Sequence, residues 1–540
     1  MANFDYVIVG SGSAGSVLAG RLGEDAGVSI LVLEAGGADR DPFIRIPIGI
    51  GVMHERRSHD WGYDTEPEPG LGGRSIEAMR GKVVGGSSTI NNIGWVRGNR
   101  GDYDRWAARG LPGWSYAHVL PYFRRAETWE EGANTYRGGD GPLHIRRGRT
   151  VDPLFDAYME ASAAQGYPFT TDHNGASQEG IARAQNNILG GRRHSLADAY
   201  LRPAMARGNV TLETGAHATR IIMEGSRATG IEYVQGGQTK VAHAASQVIL
   251  SAGVFNSPQL LMLSGIGPAD ALRKLGITAL VDLPGVGRNL QDHIAVIVYN
   301  KRPVPGPFVG ELRADRMIVN IIRAHLFGTG PATIFPGGMH GYIRTEDGLT
   351  APNIQLMFRG VSTAPHLWFP GIRKPQADLC GVRPVLLHPQ SRGWLALASS
   401  DPFDKVRIQQ NFFAEPGDMD TLRKGFQICR EIMAQPAMDD FRGIETAPGA
   451  DVTATADIDA WIRATAVTAH HPCATCVMGV GADAVVDGEF RVRGADNLRV
   501  VDASTMPDLV SGNINACVVM MAEKASDQIR GRSPLPAAEV

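Results

Sequence analysis

Apolar runs and small-residue turns alternate at the amino terminus. Tyr6–Val9 places three β-branched residues after an aromatic one, and Ser29–Leu33 is a second apolar run that ends just before Glu34. Between them, Ser16–Arg21 carries small residues on one side, as a helix packed on a sheet does. The pattern predicts a strand–helix–strand unit of about 30 residues, the size of the opening unit of a dinucleotide-binding fold.

Two further apolar runs predict strands that belong to the same sheet. Gln247–Leu250 and Leu498–Val501 both end in small residues, as strands do when their carboxyl ends face a bound cofactor. A long helix is predicted at Asn515–Ile529, with Asn513 just before it in the position of a cap.

The pattern changes in the middle of the chain. Short apolar runs such as Leu356–Phe358 and Leu395–Ala398 alternate there with Pro- and Gly-rich turns. We therefore predict an α/β protein, α+β overall, with a Rossmann-like nucleotide-binding domain and an inserted antiparallel-sheet substrate-binding domain. The first domain is assigned to residues 1–155, 195–300 and 466–540, and the second to residues 156–194 and 301–465.

Composition narrows the class of protein. A length of 540 residues exceeds one ordinary core, and 43% hydrophobic and 20% charged residues are typical of a globular protein. A net charge of −3 gives no electrostatic reason to expect nucleic acid or an anionic membrane as a partner. Asp5 interrupts the first apolar stretch, and no run approaches the ~20 residues of a membrane helix. We predict a cytoplasmic protein without stable membrane insertion, and its oligomeric state stays open.

The first chemical motif is the turn after the first strand. It consists of Gly10, Ser11, Gly12, Ser13, Ala14 and Gly15. Gly10 permits a tight turn, Gly12 lets the backbone approach a pyrophosphate, and Gly15 lets the helix pack on the strand. The helix amino terminus offers free amides to phosphate. Glu34 is placed to accept the hydroxyls of an adenosine ribose, which favours FAD or NAD over a 2′-phosphorylated cofactor.

A second glycine-rich block, Gly81–Asn91, suggests another stretch of backbone around an extended cofactor. From Phe4 to about Gly531 the chain then resembles the glucose–methanol–choline (GMC) family of flavoprotein oxidoreductases. The matching segments are Gly81–Asp104, Gly253–Gly267, HPCATCVMG and DASTMPDLVSGNINACVVMMAEKASD. Val254 departs from the family pattern, which more often has a small residue there.

The resemblance implies that the cofactor is FAD. Some family members tether FAD to a histidine, but the matching position here is Ile90, so we predict non-covalent FAD. Motif and resemblance together predict cofactor contacts at Gly10, Gly12, Ser13, Ala14, Gly15, Glu34, Ala35, Val84, Gly86, Asn91, Asn92, Ile93, Gly94, Ala218, Asp502, Ala503, Asn513 and Ile514.

Alcohol oxidation requires a base beside the flavin, because the hydroxyl proton must leave with the hydride. The resemblance assigns that role to His471, and the hydrogen bond to the substrate oxygen to Asn513. His470 is assigned to the substrate pocket, although a merely structural role is equally open. Cys473 and Cys476 have the spacing of a zinc-binding pair, but zinc sites of this kind usually need a second pair of ligands and the sequence shows none. No metal is therefore predicted. The five cysteines show no disulfide framework.

These residues predict an FAD-dependent oxidase or dehydrogenase of a primary alcohol, with oxygen, a quinone or another electron acceptor. Several aromatic side chains favour an aromatic or apolar alcohol, although most could equally be core: Phe308, Phe335, Phe358, Trp368 and Phe369. A charged alcohol such as choline would need an acidic or aromatic cage, which the sequence does not reveal. Two other activities of the family stay open, those of hydroxynitrile lyases and of light-driven fatty acid decarboxylases.

Overall fold

The structure, a computed structural model, describes residues 2–335, 337–362 and 365–540, without the side chain of residue 2. Seven strands form a largely parallel sheet. In sheet order they are Ala216–Glu224, Arg227–Gln235, Gln238–Leu250, Ala2–Val9, Ile30–Glu34 and Val210–Thr214, with Leu498–Val500 also beside Gln238–Leu250. The first two run antiparallel to their neighbours, and the remaining pairs are parallel.

Strand Ile30–Glu34 and the end of strand Ala2–Val9 are buried on both faces, which explains their continuous apolar runs. Val7, Ile8 and Leu31 are fully buried. The helices Ser13–Leu22 and Asn515–Ile529 pack against each other over this sheet. The strand–helix–strand unit and the α/β class are therefore as the sequence predicts.

Two details of the predicted helices differ from the structure. The first helix begins at Ser13 rather than Ser16, because the glycine turn itself supplies the first helical turn. The last helix spans Asn515–Ile529 as predicted, but its cap residue is Ile514 and no side chain caps it. The assignment of Asn513 as a cap is wrong, since its side chain bonds to His471 instead.

A second, antiparallel sheet has eight strands, five of which lie within the predicted substrate-binding region. Its strands are, in order, Glu445–Ala447, Val298–Lys301, Leu379–Leu386, Ile354–Arg359, Met339–Ile343 and Gly180–Arg183, with Ile294–Ala295 paired to Leu379–Leu386 and to Val467–Thr468. Helices Pro153–Ala164 and Pro416–Met433 cover one face through a separate hydrophobic cluster. The sequence did not predict the helices in this region, which also include Ala314–Phe327 and Thr455–Thr465. The exact domain boundaries stay a prediction.

Shorter elements connect the two sheets. The other helices are Pro42–Arg45, Ile50–Glu55, Ser87–Ile90, Arg100–Ala108, Tyr116–Ala126, Ala197–Leu201, Arg202–Ala206, Gly253–Leu263, Ala269–Lys274 and Pro307–Glu311. The other strands are Glu127–Trp129, Leu143–Arg147, Gln185–Asn186, Ile188–Leu189, Arg192–Arg193, Ile266–Gly267, Val281–Asp282, Trp394–Ala396 and Arg407–Gln409. All five cysteines are buried with free thiols. Across the described ranges, none of the helices is both long and apolar enough to span a bilayer.

Candidate active site

A cavity lies at the carboxyl edge of the parallel strands. Gly10, Glu34, Ser251 and Asp502 all line it, and each stands at or just after the end of a different strand. In an open parallel sheet this edge is where ligands bind, since the loops that follow the strands diverge there. The antiparallel sheet contributes Met357 and Arg383 to the opposite side of the cavity.

Most of the predicted cofactor contacts line this one cavity. They are Gly10, Gly12, Ser13, Ala14, Glu34, Ala35, Gly86, Asn91, Asn92, Gly94, Ala218, Asp502, Ala503, Asn513 and Ile514. Gly15, Val84 and Ile93 do not line it. Ile93 is fully buried at a φ of +50°, where its N–H donates to Oδ1 of Asn91 at 2.9 Å. The structure thus gathers residues from six distant segments, and their roles as cofactor contacts stay predictions.

The two glycine-rich segments touch through bare backbone. An added Cβ on Gly15 would lie 1.9 Å from the carbonyl oxygen of Gly10, and one on Gly86 would lie 2.8 Å from the Cα of Gly12. Both Gly10 and Gly86 have positive φ, at +97° and +54°. Only glycine permits this packing without strain, and it leaves backbone rather than side chains at the cavity wall.

Glu34 is held rigidly where it meets the cavity. Its carboxylate accepts from the Ser11 N–H at 3.0 Å, the Ser11 hydroxyl at 2.6 Å and the Gly36 N–H at 2.8 Å. Burial raises the pKa of Glu34, and these hydrogen bonds oppose that rise. A carboxylate offers about four acceptor sites, so Glu34 retains capacity for a further donor such as a ribose hydroxyl.

Asp502 joins two loops of the cavity wall. Its carboxylate accepts from the Gly253 N–H at 2.9 Å, the Ser257 hydroxyl at 2.5 Å and the Ser504 N–H at 2.8 Å. Three protein donors fill most of its acceptor capacity. The side chain therefore fixes the loop geometry that brings Ala503 to the cavity.

A chain of hydrogen bonds determines which ring nitrogen of His471 carries the lone pair. His293 Nε2 lies 3.1 Å from the carbonyl oxygen of Leu387, which only accepts, so His293 carries its proton on Nε2. Burial lowers the pKa of His293 to about 3, and the neutral ring therefore accepts at Nδ1. His471 Nδ1 lies 2.9 Å from that atom and must donate to it. The lone pair of His471 is then on Nε2, 2.9 Å from Nδ2 of Asn513.

The surroundings keep His471 neutral and in place. Burial lowers the pKa of His471 well below its ordinary value, and the positive charges of Arg80 and Arg383 lower it further. The backbone N–H of His471 donates to Oδ1 of Asp292 at 2.8 Å. A neutral imidazole with its lone pair on Nε2 is what a general base requires, and here that lone pair accepts from Nδ2 of Asn513. Oδ1 of Asn513 has no hydrogen-bond partner among the described residues.

His470 also lines the cavity, at a φ of +62°. Its N–H donates to the Thr468 hydroxyl at 2.7 Å, and its carbonyl oxygen accepts from Arg80 at 2.8 Å. Its Nε2 and that of His54 each lie 3.6 Å from a carboxylate oxygen of Glu77.

These three side chains, His54, Glu77 and His470, form a group that could hold a metal ion. The positive charges of Arg80 and Arg57 act on His470 and oppose a cation at this point. The prediction of no metal stays a prediction.

Several residues that line the cavity or contact His471 escaped sequence reasoning. Asp292 and His293 come from a polar triplet between apolar neighbours, a signal that could have indicated a buried polar site. Asn515 accepts from the Ser13 hydroxyl at 2.6 Å and so links the first helix to the last. Arg80 and Arg383 carried no sequence signal.

The aromatic residues used to predict an apolar substrate do not line the cavity. Phe358 alternates with the cavity-lining Met357 along one strand, and its ring stacks on Tyr158 at 3.8 Å in the core instead. Trp368 donates its ring N–H to the carbonyl of Val309. These five residues therefore give no support to an aromatic alcohol. Other residues supply the apolar lining of the cavity: Trp61, Met79, Ile90, Phe255 and Met357.

The chain is similar to known proteins in both sequence and structure. Two family models, both described as GMC oxidoreductase, match residues 4–295 and 389–522. The chain is 44% identical over 539 residues to oxygen-dependent choline dehydrogenase of Paraburkholderia phymatum, covering 98% of this chain and 93% of the relative. It is 43% identical over 541 residues to mitochondrial choline dehydrogenase of Mus musculus, covering 98% and 90%. The crystal structure of pyridoxine 4-oxidase from Mesorbium loti superposes with a TM-score of 0.87 at 33% identity, covering 98% and 100% of the two chains.

Proposed function

Since the chain belongs to the GMC oxidoreductase family, we propose that it oxidises a primary alcohol to the aldehyde, with His471 as the base. It is an FAD-dependent oxidoreductase acting on CH–OH donors. The FAD, when bound, supplies the acceptor for the hydride. The observation that carries the proposal is the hydrogen-bonded chain from His293 through His471 to Asn513, which leaves a basic nitrogen at the cavity.

The residues at the cavity fit an extended dinucleotide. The buried Glu34 suits a ribose, and the bare backbone at Gly12 and Gly86 suits a pyrophosphate. Elsewhere along the cavity wall, Oδ1 of Asn513 and Nδ2 of Asn515 are buried and have no hydrogen-bond partner among the described residues. These groups are available to the polar edge of a flavin. Ile90 lines the cavity with a saturated side chain, which supports non-covalent FAD.

The proposed chemistry uses two atoms of this chain. Substrate binding would replace the direct hydrogen bond between Nε2 of His471 and Nδ2 of Asn513, so that the substrate hydroxyl donates its proton to Nε2 and accepts from Nδ2. As the proton leaves, the amide donor stabilises the developing alkoxide. The protonated ring of His471 keeps its Nδ1–H directed at His293, which prevents the ring from turning away.

Direct assays identify the alcohol that the enzyme oxidises and the electron acceptor that it uses. Anaerobic addition of an alcohol should bleach the flavin absorbance, whereas a lyase would leave the spectrum unchanged. The apolar lining of Met79, Ile90 and Met357 supports an alcohol with an apolar body. Turnover measured with oxygen and, separately, with a quinone identifies the acceptor.

A cytoplasmic location stays a prediction.

The pH dependence should reflect the lowered pKa of His471. A base works in its unprotonated form, and burial keeps His471 unprotonated to lower pH than an ordinary histidine near 6.5. The rate of flavin reduction at saturating alcohol is therefore expected to be flat above about pH 6.5 and to fall only below it. A midpoint of 7 or higher would contradict the assignment.

Asp292 titrates in the same range, because burial raises its pKa to about 6. The Asp292→Asn variant separates the two groups. If His471 is the titrating base, the variant keeps a falling acid limb, whereas loss of that limb would assign it to Asp292.

Removing the Glu34 carboxylate should weaken FAD retention. The dissociation constant of FAD in Glu34→Ala is expected to rise at least about tenfold, which corresponds to one charge-assisted hydrogen bond of about 1.5 kcal/mol. Fluorescence titration of the apoprotein measures it. Glu346→Ala, which removes an exposed carboxylate paired with Lys424, is the control. Unchanged FAD affinity in Glu34→Ala would remove Glu34 from the cofactor site.

A further inference from the structure

Two arginines share the face of the antiparallel sheet that meets the cavity. Strands Ile354–Arg359 and Leu379–Leu386 pair with Met357 opposite Arg383 and Arg359 opposite Gly381. Paired residues on neighbouring strands point to the same side, as do residues two apart. Met357 and Arg383 line the cavity. Arg359 therefore stands diagonally beside Arg383 on the same face.

Arg383 belongs to the catalytic end of the cavity. Its guanidinium donates to the carbonyl oxygen of Thr468 at 2.9 Å, three residues before His471. Its charge acts on both His470 and His471. The neighbouring Met357 adds an apolar surface to the same wall.

Neither arginine has a carboxylate partner within 4.0 Å in the described parts of the chain. Other arginines packed in this region do have one. Arg302 pairs with Asp152 at 2.6 Å, and Arg430 pairs with Glu445 at 2.6 Å. A guanidinium stays charged at any physiological pH, and leaving it partly buried without a directly paired carboxylate costs free energy. A ligand anion would remove that cost.

The charges around Arg383 favour an anion further. Arg359 and Arg383 each stand in the other's positive field, and the carboxylate that acts on Arg383 is the buried Asp292. That carboxylate also acts on Arg80, which lines the same end of the cavity. The acidic residues of the described lining are Glu34 and Asp502, and both stand at the ends of the parallel strands rather than on this sheet.

We propose that Arg383, supported by Arg359, binds a carboxylate on the alcohol, so that the preferred substrates are hydroxy acids. The proposal rests on the alcohol oxidation proposed above and names its substrate class. The planar guanidinium fork matches a carboxylate in bidentate geometry. With the hydroxyl at His471 and the carboxylate at Arg383, the substrate is anchored at both ends and its apolar middle contacts Met357.

Matched pairs of substrates test the proposal. The FAD-loaded enzyme is mixed anaerobically with 4-(hydroxymethyl)benzoate or its amide, and with 4-hydroxybutyrate or its amide, and the second-order rate of flavin reduction is measured. At least one acid is expected to exceed its amide by tenfold or more. Choline is expected to react more slowly than the favoured acid. If both amides equal or exceed their acids, the proposal is overturned. A phosphate ester of similar length, 4-(hydroxymethyl)phenyl phosphate, shows whether the site distinguishes carboxylate from phosphate; a faster reaction than the benzoate would overturn the choice of carboxylate.

Variants connect the preference to Arg383. Arg383→Gln should reduce the ratio of the acid rate to the amide rate to about one, and Arg383→Lys should keep part of the advantage of the acid. Arg344→Gln removes a positive charge that pairs with Glu179 on the exposed side and should leave the preference unchanged. A preference that survives in Arg383→Gln would overturn the assignment.

A binding measurement separates this inference from the proposed reaction. Calorimetry with benzoate and benzamide, which carry no alcohol, should show at least tenfold tighter binding of benzoate to the FAD-loaded protein, and loss of that difference in Arg383→Gln. If no alcohol bleaches the flavin but benzoate binds as expected, the alcohol oxidation fails and the anion site stands. If neutral alcohols bleach the flavin but benzoate binds no better than benzamide, the anion site fails alone.

Discussion

Replacing His471 by alanine should slow anaerobic reduction of the bound FAD by at least about a hundredfold, the usual scale for loss of a general base. Nε2 of His471 is the basic atom that the chain through His293 leaves unprotonated. The variant removes it without touching the glycine turn or Glu34. FAD content, read from the absorbance of the purified protein, should therefore stay near that of the wild type. Stopped-flow absorbance gives the rate.

His118→Ala is the matched control, because that ring bonds to Ser115 and does not line the cavity. Added imidazole should restore part of the activity of His471→Ala by supplying the missing base. A reduction rate within about fivefold of the wild type would end the assignment of His471 as the base, whatever the FAD content.

Replacing Gly15 by valine should have the opposite pattern, with loss of FAD and of stability. A Cβ at this position would lie 1.9 Å from the carbonyl oxygen of Gly10, so the first helix must move away from the turn. Overpacking against backbone costs about 3 kcal/mol, and the shift also displaces the helix amino terminus at the cavity. Urea unfolding followed by tryptophan fluorescence measures the free energy, and filtration measures the FAD retained.

Gly417→Val is the control for this substitution. Gly417 lies exposed in the first turn of a helix, and an added Cβ there meets no atom within 4 Å. Its stability should change by less than about 0.5 kcal/mol. If Gly15→Val keeps full FAD and wild-type stability, close packing of helix on turn is not what the glycine provides.

The nucleotide-binding unit was predictable because its signals are local. The turn from Gly10 to Gly15 and the acidic residue at Glu34 lie within one strand–helix–strand unit, so their geometry follows from sequence spacing. The last helix was likewise predicted from its apolar pattern. Element ends were less predictable: the run predicted at Gln247–Leu250 is only the end of a strand that spans Gln238–Leu250, because a hairpin extends it.

The sequence could not show whether the five aromatic residues line the cavity or fill the core. Alternation along a strand shows that two faces exist, but it does not show which face meets a cavity. Phe358 and Met357 are neighbours in sequence, and packing against Tyr158 decides that Phe358 points into the core.

From the sequence alone, the glycine motifs and the family resemblance determined the fold class, the flavin cofactor and the candidate base His471. The tertiary structure decided which atom of that base is available, because His293 lies 178 residues away and only folding brings the two rings together. It also decided that Arg383 lines the cavity without a carboxylate partner within 4.0 Å among the residues that the structure describes. Charge pairing depends on distances between side chains from separate strands, and those distances are set by the packing of the two sheets rather than by spacing along the chain.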